Sequence, residues 1–146
     1  MNGVAIVRVK LLRPGARVPV RASASASGFD LHACLEDGPL RLGQHPVAVP
    51  TGLAIEVPPG LDAQFRPRSG LARRGVLSTL GTLDADYRGE CMVTMYTLAP
   101  DIDYEVRHGD RIAQLVITHL ATVEILVAGK LTQTARGTAG HGSTGP

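Results

Sequence analysis

Apolar residues recur at every second position along several short stretches of this chain, and no long stretch carries the three-to-four spacing of a helix. Ala5, Val7, Val9 and Leu11 alternate with Arg8 and Lys10; Leu53, Ile55 and Val57 oppose Glu56. A period of two puts one face of an extended chain against a core and the other in water. Residues 91–98, 111–120 and 123–127 read as further strands, rich in Val, Ile, Thr and Met. Between them stand turn signals: Arg13-Pro14-Gly15, Glu36-Asp37-Gly38-Pro39, Pro58-Pro59-Gly60 and His108-Gly109-Asp110. Many short strands with frequent turns predict an all-β domain: a sandwich, a jelly roll or a barrel. One short helix fits at residues 70–74, with Ser69 as N-cap and Gly75 just past the end. The chain has no internal repeat.

With 146 residues the chain is one domain's worth. Aromatic residues make up 3% and Trp is absent, so Val, Leu, Ile and Ala must build the core. Burying more surface in an oligomer would help such a core. Fifteen basic against thirteen acidic side chains give +2, too balanced to demand nucleic acid or a membrane as partner. Cys34 and Cys91 match no zinc or redox spacing and read as reduced thiols of a cytosolic protein. The first residues lack the pattern of a signal peptide or a membrane span. After Thr132 almost nothing apolar remains, and a tail over residues 133–146 is expected to be mobile on its own.

Three polar or glycine-rich stretches interrupt the Val/Leu background. The first is Arg66-Pro67-Arg68-Ser69-Gly70-Leu71-Ala72. A guanidinium, a hydroxyl and free amides at a helix start suit an anion; the same residues also suit a solvated basic turn. A binder that uses this patch on RNA would want stacking platforms, and only Phe65 is near. The second is Gly81-Thr82-Leu83-Asp84-Ala85-Asp86-Tyr87-Arg88-Gly89-Glu90. It reads either as a water-facing hairpin or as a tight turn presenting a carboxylate base and a ring to a ligand. The third is the tail, whose glycines, Ser143, Thr144 and Arg136 fit a phosphate cover or a disordered terminus.

These stretches occur together and in order, and in that arrangement the chain resembles the homotrimeric dUTPase family. Five motifs carry the resemblance: Ser27-Gly28-Phe29-Asp30-Leu31; Pro67-Arg68-Ser69-Gly70-Leu71-Ala72; the Gly81 to Glu90 stretch; Gly109-Asp110-Arg111-Ile112-Ala113-Gln114-Leu115; and Arg136 through Gly145. The run from Val49 to Gly60 is also family-like. The resemblance implies a distorted jelly roll (β-clip) over residues 1–132 and a C-terminal arm over 133–146. It implies a cytoplasmic homotrimer with three shared active sites. The first, second and fourth motifs would come from one chain, the third from a second and the arm from the third.

The resemblance further implies a magnesium-dependent hydrolysis of dUTP to dUMP and diphosphate. Asp84 would activate a water for attack on the α-phosphate, with Gln114 near that phosphate and Arg136 neutralising charge from another chain. Arg68, Ser69 and Gly70 would grip phosphates, and Asp30 would hold magnesium through water. Ser78, Thr82, Leu83 and Asp84 line the stretch that would read uracil through backbone groups. Tyr87 would pack under the deoxyribose and reject UTP, with Met92 in the same pocket. His141, Gly142, Ser143 and Thr144 would close over the nucleotide, His141 standing where the family often has Phe. The sequence departs from the common pattern in a shorter connector over residues 75–81, in Ser78 for a frequent Asn, in Ala139 for a frequent Gly and in Ser27 for Ala. The related dCTP deaminases share the fold but carry a different second motif and a Glu base.

Overall fold

The computed structural model describes residues 3–141. It contains eleven strands and one helical turn: β1 (Arg8–Leu11), β2 (Gly28–His32), β3 (Leu40–Leu42), β4 (Val47–Pro50), β5 (Leu53–Glu56), β6 (Leu61–Arg66), α1 (Ser69–Ala72), β7 (Val76–Ser78), β8 (Gly81–Leu83), β9 (Met92–Thr97), β10 (Tyr104–Val106) and β11 (Arg111–His119). The largest sheet runs β2-β11-β6-β8 and a second runs β4-β9-β7; β1-β5 and β10-β3 form two-stranded ribbons. Every named pairing is antiparallel.

The alternation explains the core. Leu53, Ile55 and Val57 are buried while Glu56 is not, and Val93, Met95 and Thr97 are buried from β9. Ile112, Ala113 and Leu115 join them from β11, and Leu31 and Ala33 from β2 and its exit. These residues form one continuous aliphatic cluster with Phe65 as its single buried aromatic ring. Burial of a Val, Leu or Ile side chain stabilises by roughly 1.5–3 kcal/mol, so such a cluster holds the sheets together without Trp.

Sequence and structure differ at three places. The alternation from Ala5 pairs only from Arg8 onward, because β5 offers partners for Arg8 to Leu11 alone. The helix begins at Ser69, with Arg68 as its extended N-cap (φ −93, ψ 128) and no side-chain cap bond. Ser69 is therefore the first helical residue, and its hydroxyl is not a cap. Gly75 ends the turn as expected, at φ +72, where a Cβ would also strike Ile102.

The third difference is the expected strand at residues 123–127. No strand forms there, and Val123, Ile125 and Val127 are exposed. A strand needs a neighbouring edge, and within the described residues no edge meets this segment. The last strand ends at His119. No helix among the described residues is long and apolar enough to cross a membrane.

Candidate active site

Gln114 and Asp30 face each other across β11 and β2, and Gln114 also lies opposite Arg66 on β6. The residues after Arg66 leave the sheet and enter α1, so Pro67 and Arg68 start beside this register. The Gln114 amide donates to the Pro67 carbonyl at 3.0 Å. Gly28 makes room for it: a Cβ there would lie 2.9 Å from the Gln114 Cβ and closer still to its amide oxygen. The Asp30 carboxylate lies between two guanidiniums, with Arg68 Nε at 3.7 Å and Arg111 Nη1 at 3.4 Å. Arg68 Nη1 donates to the Arg111 carbonyl at 3.1 Å. The first, second and fourth motifs thus meet in one chain. Asp30 lies within a strand, so it is not a turn-capping residue.

The basic run of the sequence splits. Arg68 turns to Asp30, Arg66 approaches Gln64, and Arg74 stacks over the Tyr104 ring at 5.1 Å. The Ser69 and Gly70 amides sit in the first turn of α1, where no intrahelical carbonyl reaches them. His32 ends β2 opposite Arg111. Burial, with help from Arg17, Arg111 and Arg68 and against Asp30, holds its imidazole below its ordinary pKa. Its Nδ1 is buried without a partner among the described residues.

The third motif builds a separate cleft of about 250 Å³, lined by Phe65, Gly81, Thr82, Leu83, Asp84, Tyr87, Glu90, Cys91 and Met92. Thr82 and Leu83 arrive on β8 and Met92 on β9. Asp84 leads into a turn closed by the Tyr87 amide donating to the Asp84 carbonyl at 3.0 Å. The Asp84 side chain is exposed, and none of the hydrogen bonds or ion pairs among the described residues engages its carboxylate. Tyr87 is 47% exposed and Met92 40%. Ser78 is buried on β7, its hydroxyl without a partner, and it does not line the cleft.

Glu90 anchors the turn to the body of the fold. Arg13 meets its carboxylate through both terminal nitrogens, and the Gly52 amide donates to it at 2.8 Å. Burial works against ionised Glu90, but these donors outweigh it and hold the carboxyl below its usual range. Burial pushes the neighbouring Cys91 thiol up to about 11, and both cysteines are free. Sequence reading did not single out Arg13, Glu90 or Arg111 as site residues. Glu90 and Arg111 lie inside quoted motifs but Arg13 lies in none, and their pairings span 77 and 81 positions.

Arg136 lies in an exposed turn where its Nε donates to the Ala139 carbonyl at 3.0 Å, and His141 has φ 50. Among the described residues neither is hydrogen-bonded to the cluster, and neither lines the cleft. Gly142, Ser143 and Thr144 lie outside the described residues. Among the described residues no group of three or more His, Cys, Asp or Glu side chains is gathered for a metal ion. Asp30, a hard oxygen donor beside the arginines, suits a hydrated magnesium better than a dehydrated one.

The architecture defines the class: an all-β domain of jelly-roll type. The sequence pattern of the dUTPase family matches residues 15–145. A deoxyuridine 5'-triphosphate nucleotidohydrolase from Treponema pallidum is 46% identical over 147 residues, covering 96% of this chain and 99% of that one. Among solved structures, the dUTPase of Staphylococcus bacteriophage 80alpha with dUpNHpp aligns with TM-score 0.84 at 25% identity, over 97% of this chain and 99% of that one. A variant dUTPase from phage phi11 of S. aureus, described with a structural Mg(II) ion, shares the fold at TM-score 0.77 and 22% identity, covering 86% and 97%. The chain belongs to the dUTPase family.

Proposed function

We propose that the chain hydrolyses dUTP to dUMP and diphosphate, with Asp84 activating the water that attacks the α-phosphorus. One contrast carries this reading. Asp30 is held between two guanidiniums, whereas Asp84 opens into a cleft with no partner among the described residues. An unpaired carboxylate keeps its lone pairs for a water proton; one flanked by two arginines is already engaged.

Triphosphate hydrolysis needs in-line placement and charge neutralisation more than covalent help. Arg68, the Ser69 hydroxyl and the Gly70 amide would take the phosphates, and the Gln114 amide lies beside them for the α-phosphate. Magnesium, held through water by Asp30, would supply further neutralisation of the phosphate charge. β8 is the outer strand of its sheet, so one side of its backbone is left to donate and accept. That favours uracil being read there by residues 81–84, with Thr82 and Leu83 at the edge, while Ser78 stays buried on β7. Tyr87 would lie under the deoxyribose and Met92 beside it.

The cluster and the cleft would belong to one site only across copies of the chain. Leu120, Val123, Ile125 and Val127 leave an apolar surface exposed, which supports association into a homotrimer. Residues 133–146 would then act as an arm, bringing Arg136, His141, Gly142, Ser143 and Thr144 over a neighbour's nucleotide, with residues 1–132 as the β domain. The two free thiols favour a cytoplasmic setting. A panel of dUTP, dCTP, dTTP and UTP, assayed for diphosphate release with and without magnesium, tests the reading. Cleavage of dUTP alone, only with magnesium, is the expected result. Intact dUTP, or ammonia released from dCTP, would contradict it.

A further inference from the structure

Arg13 lies in the loop after β1, outside every named strand, yet it makes the most fully formed ion pair of the described residues. Its two terminal nitrogens reach both oxygens of Glu90, 77 positions away, at 3.2 and 2.5 Å. Glu36 approaches its Nε at 3.6 Å. The side chains of Arg13 and Glu90 are 20% and 25% exposed. A part-buried pair of this kind adds little net stability, because desolvation offsets most of the attraction. The pair therefore calls for a reason other than holding the fold together.

Its connections supply one. Glu90 is also held by the Gly52 amide, at the entry to β5. The Glu90 carbonyl accepts the Tyr87 hydroxyl at 3.1 Å. Gly89 clears the way: a Cβ there would collide with the Tyr87 phenol. Tyr87 in turn closes the turn that begins at Asp84. A chain of contacts thus runs from the β1–β5 ribbon through Arg13 and Glu90 to the ring and the carboxylate that line the cleft.

We infer that Arg13 is a positioning residue: acting through Glu90, it sets the height of the Tyr87 ring and of Asp84 in the cleft. The inference rests on the reading above, in which Tyr87 meets the sugar. A ring held at one height leaves no space for a 2′-hydroxyl; a ring free to drop admits it. Loosening the brace therefore relaxes sugar selectivity, an effect that lost stability alone does not produce.

The test is kcat and KM for dUTP and UTP in the full-length parent, Arg13→Met, Arg13→Lys and Glu36→Gln proteins. Arg13→Met is expected to lower the dUTP-to-UTP ratio of kcat/KM roughly tenfold, mainly through a higher kcat/KM for UTP. Arg13→Lys, which keeps the charge but not the fork, recovers part of the ratio. Glu36→Gln leaves it unchanged. In the Arg13→Met background Tyr87→Phe costs little more, since the two changes break one chain of contacts. A ratio within about twofold of the parent's in Arg13→Met overturns the inference while the proposed reaction stands. Additive losses in the double variant overturn it too. If Arg13→Met fails to fold, Arg13→Lys carries the test, and an unchanged ratio there has the same consequence. A parent protein that leaves dUTP intact rejects the underlying reading instead.

Discussion

The cluster around Asp30 and the cleft around Asp84 hold their polar groups in different ways. The cluster draws Gly28, Asp30, Pro67, Arg68, Arg111 and Gln114 from three separate segments and ties them to one another. The cleft comes almost wholly from one stretch, residues 81–92, over Phe65. It is fixed at its base, by Glu90, while Asp84, Tyr87 and Met92 remain exposed. A region tied across strands is shaped before any ligand arrives. A region pinned at one end leaves its reactive groups open to a ligand and to another copy of the chain.

If the cleft needs a neighbour to complete it, truncation after Thr132 is the largest perturbation. Removing Arg136 and the rest of the arm should lower turnover about 10³-fold, in the range of a lost arginine finger. Light scattering should still report a trimer. A truncated protein with full turnover breaks the shared-site account.

Substitutions should separate the two regions further. Gly28→Ala forces a methyl onto Gln114 and breaks its bond to Pro67. It should cost about 1–3 kcal/mol in urea unfolding, as overpacking does, and weaken dUTP binding as well. Tyr87→Ala touches the open region. Its unfolding free energy should stay within ~0.5 kcal/mol of the parent's, while KM for dUTP rises roughly tenfold. Equal stability losses in both would erase the distinction.

A smaller effect concerns pH. The folded state holds the Glu90 carboxyl below its usual range, so its contribution to stability is present above the unfolded pKa. That contribution is lost as pH falls through the lowered folded value. Urea midpoints taken from neutral to acid pH should therefore drop more steeply in the parent than in Glu90→Gln. Parallel curves would show that the brace adds nothing.

The contrast also governs what could be read from sequence. The cleft was legible because Asp84, Tyr87 and their glycines are contiguous, and a local turn keeps contiguous residues together. Strands at 53–57 and 91–98 were legible because one face of each is buried, which preserves the alternation, and 111–120 from its run of Ile, Val and Leu, buried at adjacent positions 112–113 and 115–116. β2 and β6 were harder, since Asp30, Asp62 and Gln64 interrupt their apolar runs. The Arg13–Glu90 brace and the Arg111–Asp30 contact depend on strand register, which no local spacing encodes. Residues 123–127 alternate like a strand but find no edge within the described residues, so pattern alone misled. Ser69 has the residue type of a cap, yet the chain enters the helix one residue earlier, at Arg68.

The most direct test of the central claim is a single-turnover measurement of diphosphate release by Asp84→Asn with dUTP and magnesium. An isosteric amide keeps the cleft's shape but cannot take a proton from water. Nucleotide affinity should stay near the parent's while release slows by roughly 10²–10⁴, the usual contribution of a general base. Release at the parental rate would contradict the assignment of Asp84.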